Sequence, residues 1–261
     1  MNNEMILKDI REQFKEYIQN SNLKSVVLGI SGGIDSAIVA AILSPVCTEI
    51  GIKLIGISLP SNSNETDETA RADLVGNAFC DTYATINIDS FTESFLQLIP
   101  GDTFAEKVRK GNMKARTRMI LLYEIAGENS GCVLSTDNLT EYYLGFWTLH
   151  GDVGDLGPIQ NLWKTEVYEL AKWICNNELP VTETALEKCI DATPTDGLGI
   201  TSSDLDQIGV PSYAIADKMI QKYLEDKTIT PENNKVITRV INTEFKRNNP
   251  YNFEIKKGET K

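Results

Sequence analysis

The chain has 261 residues, 41% of them hydrophobic, with 25 Lys and Arg against 37 Asp and Glu and a formal net charge of −12. That length can bury the core of one large α/β domain, and the acidic balance argues against a nucleic-acid partner, which needs a basic face. No apolar run reaches membrane length and no basic-then-apolar signal segment is visible, so a soluble, cytoplasmic protein with no membrane partner is expected. The five cysteines show no CxxC spacing and read as free thiols of a reducing compartment, with no disulfide or zinc role.

In chain order, Met5, Ile6, Ile10, Phe14, Tyr17 and Ile18 carry the spacing of an amphipathic helix over 4–20. Strand-like runs follow at 25–30, 52–58, 83–88 and 131–135, with helical segments near 35–49, 67–80 and 102–127. Strands alternating with helices predict an open, doubly wound, mainly parallel sheet with helices on both faces. Beyond 135 the strand rhythm stops. Residues 144–163 are rich in Gly and Asp and read as loop, helices are expected near 164–176, 211–225 and 231–247, and 191–209 reads as a long loop. No linker divides the chain, so 1–261 is read as a single domain.

Between the first strand and the second helix stands Ser31-Gly32-Gly33-Ile34-Asp35-Ser36. Glycines let the backbone approach an anion without a Cβ in the way, and the N–H groups at a helix start favour negative charge. Ser31 and Ser36 add hydroxyl donors. Asp35 would repel a phosphate and is better suited to hold Mg²⁺ that bridges to phosphate oxygens. Helix capping by Asp and Ser explains part of this pattern but not the whole hexapeptide after a strand. The Lys-Ser/Thr pair of a Walker A loop does not follow. The stretch instead resembles the SGGxDS pyrophosphatase loop of enzymes that adenylate a carbonyl oxygen with ATP and release pyrophosphate.

Three further segments narrow the substrate. In Lys110–Met119, Lys114 and Arg118 stand i,i+4 and share a face, while Arg116 points elsewhere. In Ser135–Glu141, polar residues emerge from the end of a predicted strand, with Glu141 one helical turn beyond Asp137; helix capping accounts for Thr136 and Asp137 equally well. Gly151-Asp152-Val153-Gly154-Asp155 follows. In Pro158–Glu166, Lys164 opens a helix, where the dipole disfavours a cation, and this marks it as a ligand candidate.

Taken in order, SGGxDS, KARxRM, TDxxxE, a GD loop, PIxxLxK, Pro194-Thr195 and Lys246-Arg247 before Pro250 resemble the NAD synthetase family over nearly the whole chain. The resemblance implies an adenine nucleotide alpha hydrolase-like fold and an ammonia-dependent ligase that adenylates the carboxylate of deamido-NAD and amidates it to NAD, AMP and pyrophosphate. It implies ATP contacts from Ser31, Gly32, Gly33, Ser36, Arg116, Thr136, Lys164 and Thr195, and Mg²⁺ held by Asp35 and Glu141. Asp152 would lie by the substrate and ammonia, with Asp152 and Lys164 as the catalytic pair. Lys246 would reach the deamido-NAD end, and the molecule would be a homodimer. Departures from the family pattern are Ser135 for a usual Gly, Leu149 for a frequent Lys, His150 for a frequent aromatic and Phe245 for a common His. A related tRNA thiolation enzyme would want a basic face and paired cysteines. A decayed nucleotide-binding module would not keep Asp35, Glu141 and Lys164.

Overall fold

In the computed structural model, residues 1–62, 64, 66–98, 104–180, 183–192 and 204–255 are described. Four strands, β1 (Ser25–Gly29), β2 (Lys53–Ser58), β3 (Thr82–Thr85) and β4 (Gly131–Leu134), form a sheet in the order β3-β2-β1-β4 with every pair parallel. The helices in chain order are α1 (Asn3–Ser21), α2 (Ile34–Ile50), α3 (Thr66–Phe79), α4 (Asp89–Leu96), α5 (Phe104–Glu128), α6 (Leu139–Leu144), α7 (Lys164–Asn177), α8 (Ala185–Ile190), α9 (Asp204–Ile208), α10 (Tyr213–Asp226), α11 (Asn234–Asn242) and α12 (Glu244–Arg247).

The central strands are apolar along their length because both faces are covered. Side chains alternate between the faces. Val26, Leu28 and Leu54 pack with α1, α2, α7 and α8, while Val27, Ile55, Ile57 and Val133 pack with Ala126, Leu121 and Ile125 of α5. Leu28 is fully buried, and truncating such a leucine to alanine costs ~2–5 kcal/mol. A third cluster, away from the sheet, joins Leu144, Ile208, Ala216, Ile220, Val236, Ile237 and Val240. It fixes α9, α10 and α11 against the short α6.

The predicted strands and most predicted helices stand within one to three residues of those observed. Residues 89–96 form α4, a short helix that the strand-focused reading passed over; Asn87 Oδ1 accepts the Asp89 amide at 2.9 Å and starts it. The loop expected over 191–209 contains α9 in its described part, and α8 precedes it. The helix expected over 231–247 is broken at Thr243, whose hydroxyl turns back onto the Arg239 and Val240 carbonyls. The loop over 144–163 does not wander: Leu156 bridges Leu134 in parallel, and the Ser135 amide donates to Leu156 O at 2.7 Å. This close approach requires Gly154, where a Cβ would stand 2.6 Å from the Ser135 nitrogen. No helix among the described residues is long and apolar enough to cross a membrane.

Candidate active site

A cavity of about 610 Å³ opens at the carboxyl ends of β1, β2 and β4, the edge at which open parallel sheets bind ligands. Ser31 and Gly33 line it. The loop between β1 and α2 is held by its own hydroxyls: Ser31 Oγ lies 3.1 Å from Ser36 Oγ and accepts the Gly33 amide at 3.1 Å. Ser36 is buried and shapes the turn from behind, accepting the Ser31 amide and donating to Gly33 O. Gly32 has φ +80°, and a Cβ there would stand 2.2 Å from Glu68 O, so both backbone angle and space demand glycine. Arg71 of α3 donates to Gly32 O at 3.0 Å and fixes the loop from outside.

Asp35 sits in the first turn of α2, Glu141 in the first turn of α6 and Lys164 at the first position of α7. The Lys164 ammonium donates to Asp35 Oδ2 and, at 2.9 Å, to Glu141 Oε1, and lies 5.6 Å from the centre of the Tyr213 ring. Lys164 is only 3% exposed. Burial alone would pull its pKa down, but the two carboxylates carry it well above the ordinary lysine value. They also offset the unfavourable dipole at the start of α7. Burial pushes Glu141 up to about 7, with Lys164 opposing and Asp35 adding.

Asn138, fully buried, ties these groups together. Its Nδ2 donates to Asp35 Oδ1 at 2.9 Å and its Oδ1 accepts the Glu141 amide at 3.0 Å as the N-cap of α6. The other end of α6 is closed by three cations. Arg239 donates to Leu144 O at 2.8 Å, Arg247 to Tyr143 O at 2.8 Å, and Lys246 to Gly145 O at 2.7 Å and to Trp147 O. Cations at carbonyls that a helix leaves unpaired are favourable.

Beyond this centre, Thr136, Asp137, Asp152 and Lys246 line the cavity. Asp152 Oδ2 accepts the Thr148 amide at 2.6 Å; burial raises its pKa, with that bond and Arg118 opposing. Asp137 is buried and is driven well above the ordinary range by burial and then by Glu141 and Asp152. Burial lowers the Lys246 pKa, with Arg239 adding.

Arg116 does not line the cavity; its guanidinium donates to Leu149 O at 3.2 and 3.3 Å and braces the Thr148–Asp152 turn. Arg118, two residues on, does line it, and its Nε donates to Leu59 O at 2.9 Å. Gly32 and Ser36 are likewise set back from the cavity wall. Thr195 lies outside the described residues. Asn138, Asp137 and Arg118 were not singled out from the sequence as site residues. Asn138 carried a signal, since Asn three residues before Glu is an N-terminal helix signature.

Among the described residues, no group of three His, Cys, Asp or Glu side chains is placed to hold a metal ion. Two carboxylates gathered on one cationic centre beside a phosphate-type loop nevertheless fit Mg²⁺, which takes one or two carboxylates and completes its shell from substrate phosphates and water.

A family model described as NAD synthase matches residues 6–250. The chain belongs to the NAD synthase family. It is 33% identical over 251 residues to the NH(3)-dependent NAD(+) synthetase of Thermoplasma acidophilum, covering 95% of this chain and 97% of that protein. Its fold is similar to the NH3-dependent NAD synthetase of Campylobacter jejuni, solved in complex with nitrate, with TM-score 0.76, 26% identity, and 97% and 100% of the two chains covered. It is also similar to the NMN synthetase of Francisella tularensis, with TM-score 0.78, 27% identity and 99% of each chain covered. In this family setting, the pyrophosphatase-type loop and the Asp35, Glu141 and Lys164 centre stand at the carboxyl edge of an adenine nucleotide alpha hydrolase-like sheet.

Proposed function

We propose that the chain is an ammonia-dependent NAD synthetase, with ATP and deamido-NAD as co-substrates. The observation that carries this reading is the meeting of the Ser31–Ser36 loop with Asp35, Glu141 and Lys164 in one cavity. In the first step the deamido-NAD carboxylate attacks the α-phosphorus of ATP, the bond to the β-phosphate oxygen breaks, and pyrophosphate leaves an acyl adenylate. The carboxylate is already ionised, so no general base is needed. The demand is electrostatic. The Lys164 ammonium and the Arg118 guanidinium supply positive charge where negative charge gathers, with Ser31 beside them on the cavity wall. Mg²⁺, held by Asp35 and Glu141, would neutralise charge on the phosphate oxygens. In the second step ammonia attacks the acyl carbon, sheds a proton, and the bond to AMP breaks. Asp152, a carboxylate within the cavity, suits binding of ammonium and acceptance of that proton. Lys246 and Arg239 give the far end of the cavity positive charge for the second nucleotide's phosphates.

The structural likeness to an NMN synthetase favours a second reading, in which the amidated acid is nicotinate mononucleotide. One experiment separates the two. The purified chain is incubated with ATP, Mg²⁺ and ammonium, with deamido-NAD in one arm and nicotinate mononucleotide in the other. Formation of NAD, AMP and pyrophosphate at the higher kcat/KM in the first arm supports the main reading; a preference for the mononucleotide replaces it with the second.

A homodimer belongs to the same proposal. Phe91 and Phe95 of α4 and Ile120 and Tyr123 of α5 are exposed, although Leu121, Leu122 and Ile125 of α5 turn to the core. Exposed apolar side chains on two packed helices suit a self-complementary interface.

A further inference from the structure

Asp217 of α10 is 2% exposed, stands outside the cavity lining and takes no part in the steps above. Its Oδ1 accepts the Thr140 hydroxyl at 2.6 Å, and its Oδ2 accepts the Thr165 hydroxyl at 2.8 Å and the Thr165 amide at 3.2 Å. The Thr140 oxygen in turn accepts the Lys164 amide at 2.8 Å. Thr140 immediately precedes Glu141, and Thr165 immediately follows Lys164. One carboxylate therefore cross-links the first turn of α6 to the first turn of α7, the two short backbone stretches that carry Glu141 and Lys164. A buried carboxylate is costly unless its bonds are satisfied, and here every bond named is to a residue flanking those two. The same helix sets the Tyr213 ring near the Lys164 ammonium, so α10 reaches Lys164 at both its backbone and its charged end.

We propose that Asp217 is a positioning residue: it fixes the spacing between Glu141 and Lys164, and through that spacing the hold of Asp35 and Glu141 on the divalent cation that accompanies ATP. This rests on the synthetase reading of the site. A carboxylate that merely glued α10 to the molecule would change stability alone.

The test compares Asp217→Ala, Asp217→Asn and Thr165→Val with Val240→Ala, which loosens the α6–α10–α11 cluster without touching this chain of bonds. ATP binding is followed by calorimetry across a Mg²⁺ series, and adenylation by pyrophosphate–ATP exchange per folded molecule. Asp217→Ala should raise the Mg²⁺ concentration at half-saturation at least five-fold and lower exchange kcat at least ten-fold, with the KM for ATP at saturating Mg²⁺ within two-fold of wild type. Asp217→Asn should recover part of the loss and Thr165→Val show a smaller version of it, while Val240→Ala stays at wild-type values despite a lower melting midpoint. Wild-type Mg²⁺ half-saturation in the three chain variants, or an equal shift in Val240→Ala, overturns the proposal. Should Asp217→Ala not fold, Asp217→Asn and Thr165→Val decide. A wild-type protein that binds ATP with Mg²⁺ but makes no amidated nucleotide removes the ligase reading, and the calorimetric series still decides the role of Asp217.

Discussion

Asn138 and Asp35, 103 residues apart in the chain, are joined by one hydrogen bond of 2.9 Å. The same amide side chain caps α6 at the Glu141 amide, so a single residue without charge registers both candidate metal ligands.

Substitution can separate these two duties. Asn138→Ala removes both bonds and should lower stability by ~1 kcal/mol or more, the usual cost of a lost cap. Asn138→Ser keeps a good capping oxygen and loses the donor to Asp35. It should melt closer to wild type yet lose adenylation nearly as severely, by about ten-fold, read by pyrophosphate–ATP exchange beside thermal denaturation. Equal activity in Asn138→Ser and wild type would mean that the Asp35 contact does not matter.

Replacing Lys164 by Met should abolish adenylation. It also leaves Asp35 and Glu141 facing one another without their cation, a costly arrangement in a buried site. Added Mg²⁺ should therefore raise the melting midpoint of Lys164→Met more than that of wild type, by mass action on the folded state. A thermal scan with and without Mg²⁺ is the measurement, and equal responses would count against a cation site at these carboxylates.

Asp152→Asn should spare pyrophosphate–ATP exchange and depress amidation, the signature of a second-step residue. It also has a pH signature. Burial raises the Asp152 pKa, so the folded state holds a proton that the unfolded chain releases between the ordinary and the raised value. Stability from this group therefore falls as pH rises through that window. The Asn variant should be more stable than wild type above the window, with the gain vanishing towards about pH 3.9, the ordinary carboxylate pKa. Urea midpoints across a pH series read this directly.

The thiols should be inert in the folded protein. Burial, with Asp81 adding, pushes Cys47 and Cys80 up to about 12. Cys132 rises to about 11 through burial and Asp155, and Cys189 to about 11 through burial. Since the thiolate is the nucleophile, alkylation at pH 8 followed by mass spectrometry should leave these four unlabelled until urea unfolds the chain.

Ile120→Glu places a charge at one of the exposed apolar positions of α5. Sedimentation should shift from about twice the chain mass, the commonest closed symmetry, toward the monomer, with the melting midpoint of the monomer little changed. A wild-type monomer that is fully active would remove the dimer reading.

Much of the frame was legible because its physics is local. Val26, Val27 and Leu28 announce a strand covered on both faces, and Ser31–Ser36 announces a glycine turn before a helix. Lys164 stood out because a cation at a helix start needs a reason, and the carboxylates of Asp35 and Glu141 are that reason. What was not legible depends on distant partners. Arg116 and Arg118 share a basic stretch, and only the packing of α5 against the Thr148–Asp152 turn sends Arg116 to Leu149 O and leaves Arg118 facing the cavity. The helix α4 was missed because its eight residues make little more than two turns, squeezed between a strand and a much longer helix. Asp217 was hidden because its partners lie 77 and 52 residues away.

The closure of α6 by Arg239, Lys246 and Arg247 has a consequence for biosynthesis. A six-residue helix cannot sustain itself in water, and its last carbonyls find their cations only in the final helices of the chain. The carbonyls that end α6 therefore leave the ribosome 95 to 104 residues ahead of the side chains that close them, whereas the Ser31–Ser36 turn meets its outside support, Arg71, only 39 residues after Gly32.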